Sequence, residues 1–194
     1  MGNREALIEG AKTCLKEKGY SRTTARDIAT AAGVSLAAIG YHFGSKEALM
    51  NEAMGQALDE WGGEVAATLE AGLGADGDAR ERFVTTWRLA VETLSSPSSR
   101  ALWTTQYEVV SLGAHLPEML AELSKQQGEA REGLASLFGY TEPGQVQLVG
   151  TFYQALMLGV IALWLFDPTK APNGEDLARA IQLVSAQLGS EPEN

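Results

Sequence analysis

The sequence predicts an all-α protein, a small three-helix head followed by a larger helical body, on three observations. Apolar residues recur at three- and four-residue spacing along most of the 194 residues. Clusters of Gly, Pro, Ser and Asp punctuate the periodic segments. Neither a period-two strand pattern nor an internal repeat stands out. The head is expected to span residues 1–46 and the body 47–194.

Leu7, Ile8, Ala11, Cys14 and Leu15 fall at helical spacing and Gly19 follows as a stop, so a first helix is predicted over about residues 3–18. Thr23 or Thr24 supplies a hydroxyl cap for a second, short helix that buries Ile28, Ala29 and Ala32. Gly33 then permits the positive-φ bend, Val34 turns into the core, and Ser35 caps a third helix whose Ile39 and Phe43 close a small core against the second. Ala32-Gly33-Val34-Ser35 between two short helices is a helix-turn-helix signature, a shape that fits a DNA major groove.

Ser45 caps a long helix to about Glu70, carrying Ala48, Leu49, Met54, Leu58, Trp61, Val65 and Leu69 from the head into the body. A Gly/Asp loop over residues 72–78 ends it. Helices follow over 79–94 and 100–113, separated by Ser95-Ser96-Pro97-Ser98-Ser99. Pro117 opens the next, to about Phe138, and Glu142-Pro143-Gly144 makes a turn. A very apolar helix then runs to Phe166, where Asp167-Pro168 stops it, and Leu177, Ile181, Val184 and Leu188 place the last helix near 175–188.

Pro143–Phe166 holds no charged side chain and approaches bilayer length. Gln145, Gln147, Thr151, Gln154 and three glycines argue against a lipid-facing span, so no membrane partner is expected. A helix apolar all round must be buried on every side. One face is therefore expected to meet the core and the other a second copy of the chain, the last two helices of each forming a four-helix interface about a twofold axis.

The formal net charge of −10 divides unevenly. Residues 1–50 hold seven Lys/Arg against five Asp/Glu, and the rest hold eight against twenty. Phosphate contact thus belongs to the front end, with an acidic rear that repels DNA. A lone Cys14 excludes an internal disulfide and argues against a cysteine-based metal site; no cofactor is expected. No apolar signal segment is evident at the start, and Ala6 does not fit the myristoylation pattern that Met1-Gly2 opens, so a cytoplasmic location is expected.

Thr23-Thr24, Asp27-Ile28-Ala29, Ala32-Gly33-Val34-Ser35, Tyr41-His42-Phe43 and Ser45-Lys46-Glu47-Ala48-Leu49 together resemble the amino-terminal domain of the tetracycline-repressor (TetR) family of transcriptional regulators. The resemblance covers about the first quarter of the chain. It implies a homodimer that binds double-stranded DNA through the head and a small-molecule effector through the body. By motif position, Thr24 and Lys46 are candidates for phosphate contacts, the alternatives being a plain cap and a solvated lysine. Ser35, Leu36, Ala37, Ala38, Tyr41 and His42 are candidates for the groove-facing set. Leu36, Ala37 and Ala38 read only methyl groups and shape, which leaves Ser35, Tyr41 and His42 for polar contacts. His42 has an equal alternative as a structural residue against Phe43, and Arg26 is read as a surface residue. The family commonly has tyrosine where this chain has Gly40; the departure removes one backbone contact and weakens the helix by about 1 kcal/mol relative to alanine. With no arginine on the recognition helix, phosphate and shape readout are expected to dominate.

In the body, Trp61, Trp87, Trp103, Tyr107, Phe152, Tyr153 and Trp164 suit either an ordinary core or an apolar cavity with polar groups such as Gln106, Glu108 and Gln154. Trp61, Trp87, Trp103, Gln106, Tyr107 and Phe152 are the candidate ligand contacts. The expected function is a dimeric regulator, a repressor released from a pseudo-palindromic operator by a small apolar or amphipathic effector that tilts the long helix. The rival readings are a helical enzyme or small-molecule carrier, and a pure interaction module. Against an enzyme, His42 and His115 fall in different domains and no nucleophile, metal cluster or phosphate loop is visible.

Overall fold

The computed structural model describes residues 2–72, 78–94, 97–113 and 116–189. Among these the chain forms nine α-helices, one short 3-10 turn and no strand. The head comprises α1 (Asn3–Lys18), α2 (Ala25–Ala32), α3 (Ala37–Phe43) and the first turns of α4 (Lys46–Gly72). The body adds α5 (Ala79–Leu94), α6 (Pro97–Ser111), α7 (Pro117–Leu137), α8 (Pro143–Phe166) and α9 (Gly174–Gly189). His115 and most of the expected 72–78 loop lie outside the described residues.

Local chemistry dictates the head. The Thr24 hydroxyl accepts from the Asp27 backbone N–H at 3.2 Å, and the Asp27 carboxylate accepts from the Thr24 N–H at 2.9 Å, a complete capping box. Lys18 pairs with the other Asp27 oxygen. Hydrogen bonds from Lys18, then from the Thr24 hydroxyl and N–H, hold this carboxyl well below the usual range. At its other end α2 stops on Gly33, φ 67° and ψ 28°, and Val34 N–H reaches back to the Ala29 carbonyl at 3.1 Å.

The third helix departs from expectation at its start. It begins at Ala37 rather than Ser35, because Ala38 N–H and Ile39 N–H close tight bonds to the Ser35 and Leu36 carbonyls at 3.0 and 3.2 Å. No side chain caps it. Ser45 does cap α4, its hydroxyl accepting from Ala48 N–H at 3.0 Å. With 27 residues at about 1.5 Å each, α4 is a rod of about 40 Å.

Packing runs past the expected boundary at residue 46. The head core of Leu7, Ala11, Ile28 and Ile39 continues through Leu49, Met50 and Met54, and takes in Val109 of α6 and Met119 and Leu123 of α7. A second core gathers Trp87, Trp103, Tyr153, Val160, Ile161 and Leu177. Helix α8 is the one described helix long and apolar enough to cross a membrane. It buries Gly150, Tyr153, Gln154, Val160, Ile161 and Trp164, while Leu148, Phe152, Leu163 and Phe166 stay exposed. Within one chain it is therefore covered on one side only. Leu183, Val184 and Leu188 of α9 are uncovered as well.

Two glycines give opposite expectations. A Cβ on Gly10 would lie 2.9 Å from both the Ala32 nitrogen and the Ile28 carbonyl oxygen, whereas one on Gly40 meets nothing within 4 Å. Gly10→Ala is expected to destabilise the protein by about 1–3 kcal/mol, by forcing α1 and α2 apart. Gly40→Ala is expected to stabilise it by about 1 kcal/mol. Thermal or denaturant unfolding of the two variants measures both signs.

Candidate nucleic-acid interface and effector cavity

The outward surface of α3 and the turn before it is apolar-aromatic. Tyr41 is 86% exposed and Leu36 48%, with Ser35, Ala37 and Gly40 also open to solvent. Ala38 is instead half-buried against the head core, away from this surface. His42 is half-buried between its neighbours, its ring edge-on to Tyr41 at 4.8 Å and to Phe43 at 6.4 Å. The candidate set thus separates into an open group of Ser35, Leu36, Ala37 and Tyr41, with His42 at its margin and Ala38 behind it.

Several cations of the head are already engaged. Arg4 pairs with Glu52 at 2.6 Å and lies over the Phe43 ring, Lys12 bridges Glu9 and Glu60, and Lys18 holds Asp27. Lys46 donates to the Thr23 carbonyl at 3.2 Å and sits 3.4 Å from Glu47. It joins the start of α4 to the start of α2, a positioning contact. Arg22 donates its Nε to the Lys18 carbonyl at 2.8 Å, lies near Glu108 and is exposed to solvent. Arg26 is exposed in the first turn of α2 beside Thr24, with no ion pair among the described residues. Arg26, read from the sequence as a surface residue, and Arg22, which the sequence places with Lys46 in a basic face beside the third helix, both stand near the amino end of the second helix.

The body contains an apolar cavity of about 280 Å³ between α4, α5, α6, α7 and α8. Trp61, Trp87 and Trp103 wall it, with Ala90, Leu134, Phe138, Met157 and Leu158, and with Gln127 and Gln154 among its polar lining. Trp61 and Trp103 meet edge to face at 4.8 Å, and the Trp61 N–H donates to the Ser99 hydroxyl at 3.1 Å. Gln154 donates to the Gln127 carbonyl and side-chain oxygen and accepts from Arg131 Nε at 3.1 Å. The indole N–H groups of Trp87 and Trp103 meet no acceptor. An adjoining cavity of about 430 Å³ shares Trp103, Gln127, Gln154 and Leu158 and adds Gln106, Tyr107 and Val110. Phe152 lines neither: it is half exposed on the outer side of α8, its ring edge-on to Tyr153 at 5.4 Å. Phe138, absent from the candidate set, stacks on Tyr153 at 3.9 Å and on Trp87 at 6.5 Å. Its i, i+4 relation to Leu134 was the sequence signal.

Helix α6 also grips the head. Thr105 donates to the Leu15 carbonyl at 3.3 Å, and Val109 is buried in the head core. Glu108 accepts the Tyr20 N–H at 2.8 Å and the Ser21 N–H at 2.9 Å. Glu108 is therefore not a cavity group, as its sequence neighbours suggested; it projects from the opposite side of α6. Burial pushes its carboxyl up, but the bonds from Ser21 and Tyr20, with Arg22 nearby, outweigh that and hold it below its ordinary value. Residues 103, 106, 107 and 110 of α6 thus face the two cavities while 105, 108 and 109 hold the head.

Residues 7–53 match the family described as bacterial regulatory proteins, tetR family. The HTH-type transcriptional repressor KstR2 of Rhodococcus jostii is 36% identical over 134 residues, 68% of this chain and 61% of that protein. The chain thus spans about three fifths of the length of this relative. The repressor AcnR of Corynebacterium efficiens is 43% identical over 49 residues, a quarter of each chain. Among solved structures, the multidrug binding protein EbrR complexed with imidazole superposes with a TM-score of 0.70 at 23% identity, covering 100% of this chain and 98% of that one, which extends the likeness of fold through the body. An amino-terminal domain of this type, a repressor relative reaching well beyond it and a shared fold along the whole chain agree: the chain belongs to the tetR family of bacterial regulatory proteins.

Proposed function

We propose that the protein is a homodimeric transcriptional repressor whose α3 enters the major groove of a pseudo-palindromic operator and whose body releases the DNA when a small apolar molecule fills the tryptophan-walled cavity. The observation that carries this reading is α6, which forms cavity wall along one side and holds the head along the other. The relatives KstR2 and AcnR are named as repressors, which supports the direction of control. Open Leu36, Ala37 and Tyr41 favour readout of methyl groups and shape over a guanine-specific code. For phosphate contacts, Arg22 and Arg26 at the start of α2 join Thr24, and Lys46 acts by fixing the geometry of Thr23.

The uncovered apolar faces of α8 and α9 favour a second copy as their cover, with Phe166 88% and Leu188 82% exposed in the single chain. Ligand entry is read as shifting α6, breaking the bonds of Glu108 to Tyr20 and Ser21, and so changing the separation of the two α3 helices. A ligand moves this equilibrium only by its difference in affinity for the two states.

Operator fragments selected from random DNA provide the assay. Tyr41→Ala is expected to weaken binding by about tenfold while leaving unfolding within about 0.5 kcal/mol of the parent. Arg26→Ala is expected to weaken binding alike on all sequences and lower the slope of log affinity against log salt by about 1. Unchanged affinity in both variants removes the assigned face. Phe166→Glu is expected to shift the sedimenting species from dimer to monomer. Because the Glu108 carboxyl lies below its ordinary value in the folded chain, its grip is present at neutral pH and is lost as pH falls through the carboxylate range. Glu108→Gln is therefore expected to reduce the pH dependence of head-to-body stability below the ordinary carboxylate value, seen as a smaller difference in head amide exchange between about pH 7 and about pH 3.

A further inference from the structure

Helix α3 is held by few groups for an element whose direction decides what it can read. It has seven residues, no side-chain cap at its start and Gly40 at its centre. Ile39 alone among its side chains is buried, with Ala38 and Phe43 packed part-way against the head core. A short, uncapped helix with a glycine inside has little stability of its own, so outside contacts set its direction.

The last of those contacts is Phe43, and its ring has a cover. The Arg4 guanidinium of α1 lies over it, 5.1 Å from the ring centre. The same group is tethered from α4, one Nη donating to both carboxylate oxygens of Glu52 at 2.6 and 2.7 Å. Helices α1, α3 and α4 thus meet at one side chain. A planar guanidinium can lie flat on an aromatic face, where the ammonium of lysine offers only a point charge. An exposed ion pair adds little to overall stability, and these two side chains are 46% and 33% exposed. Its effect is local, on the end of α3 where Tyr41 and His42 precede Phe43. We infer that Arg4 is a positioning residue for DNA recognition: held by Glu52, it clamps Phe43 and so fixes the direction of α3, and it meets no phosphate itself. This step rests on the reading of α3 as the helix that enters the groove.

Arg4→Ala, Arg4→Lys, Glu52→Ala and the double variant Arg4→Ala/Glu52→Ala test this in the full chain. Affinity for the selected operator is measured over a range of salt, well below the unfolding transition of each variant. With the clamp open, α3 spends part of its time misdirected, and the loss enters once for each of two copies. The three single variants are each expected to bind about fivefold more weakly, with the slope of log affinity against log salt and the unfolding transition nearly unchanged. The double variant is expected to match Arg4→Ala, because the pair acts as one unit. Glu52→Ala discriminates most sharply, since removing an acid from the head strengthens DNA binding if charge alone decides. Tighter binding by Glu52→Ala, a lower salt slope in Arg4→Ala with rescue by lysine, or parental affinity in all three would overturn the clamp. Tyr41→Ala in the same assay separates the two readings. If it weakens binding while the clamp variants do not, only the clamp falls; if it too binds like the parent, the α3 reading falls with it.

Discussion

Everything in this molecule turns on one helix having two masters. Helix α6 is shared by two cores: Val109 is buried in the head core while Trp103, six residues earlier, is buried in the body core. Between them Glu108 holds two backbone N–H groups at the corner between α1 and α2. Charge-assisted bonds to backbone donors tolerate little change in angle or distance. On the proposed reading, a displacement of the Trp103 side passes to the position of α2, and through the Gly33 turn to α3. The long α4 rod gives the same two regions a second connection, so the head is held at two points rather than swinging from one.

Most of the head was legible in the sequence because its structure is set by local chemistry. A threonine three residues before an aspartate, and a glycine at the end of an apolar face, specify a capping box and an αL stop with little help from tertiary contacts, and both are present. The start of α3 was less legible, since the choice between a hydroxyl cap and a tight first turn depends on how Val34 and Ile39 pack. Ala38 and Lys46 show the same limit: neighbours bring one against the core and the other onto the Thr23 carbonyl, and neither neighbour is close in sequence.

The body was legible at the level of composition and illegible at the level of phase. Three tryptophans foreseen for the cavity do line it. Phe152 does not, because α8 is apolar all round and offers no polar stripe from which to deduce its inward side. Glu108 was misplaced for a related reason, as a residue between Tyr107 and Val109 has two equally plausible directions until the partner helix is known. The charge balance needed the same correction. The small positive excess of the head is largely consumed by pairs with Glu52, Glu9, Glu60 and Asp27, leaving Arg22 and Arg26 as the cations best placed at the second helix.

The central claim is geometric: two copies of α3, carried by one dimer, match one face of a duplex. Electron-electron distance measurement with a spin label at Glu47→Cys, just beyond α3, addresses it directly, the native Cys14 being buried and protected from labelling. On selected operator DNA the distribution is expected to narrow around one duplex turn, about 35 Å. Absence of any dipolar coupling, or a distance on DNA far from one turn or a multiple of it, contradicts the account.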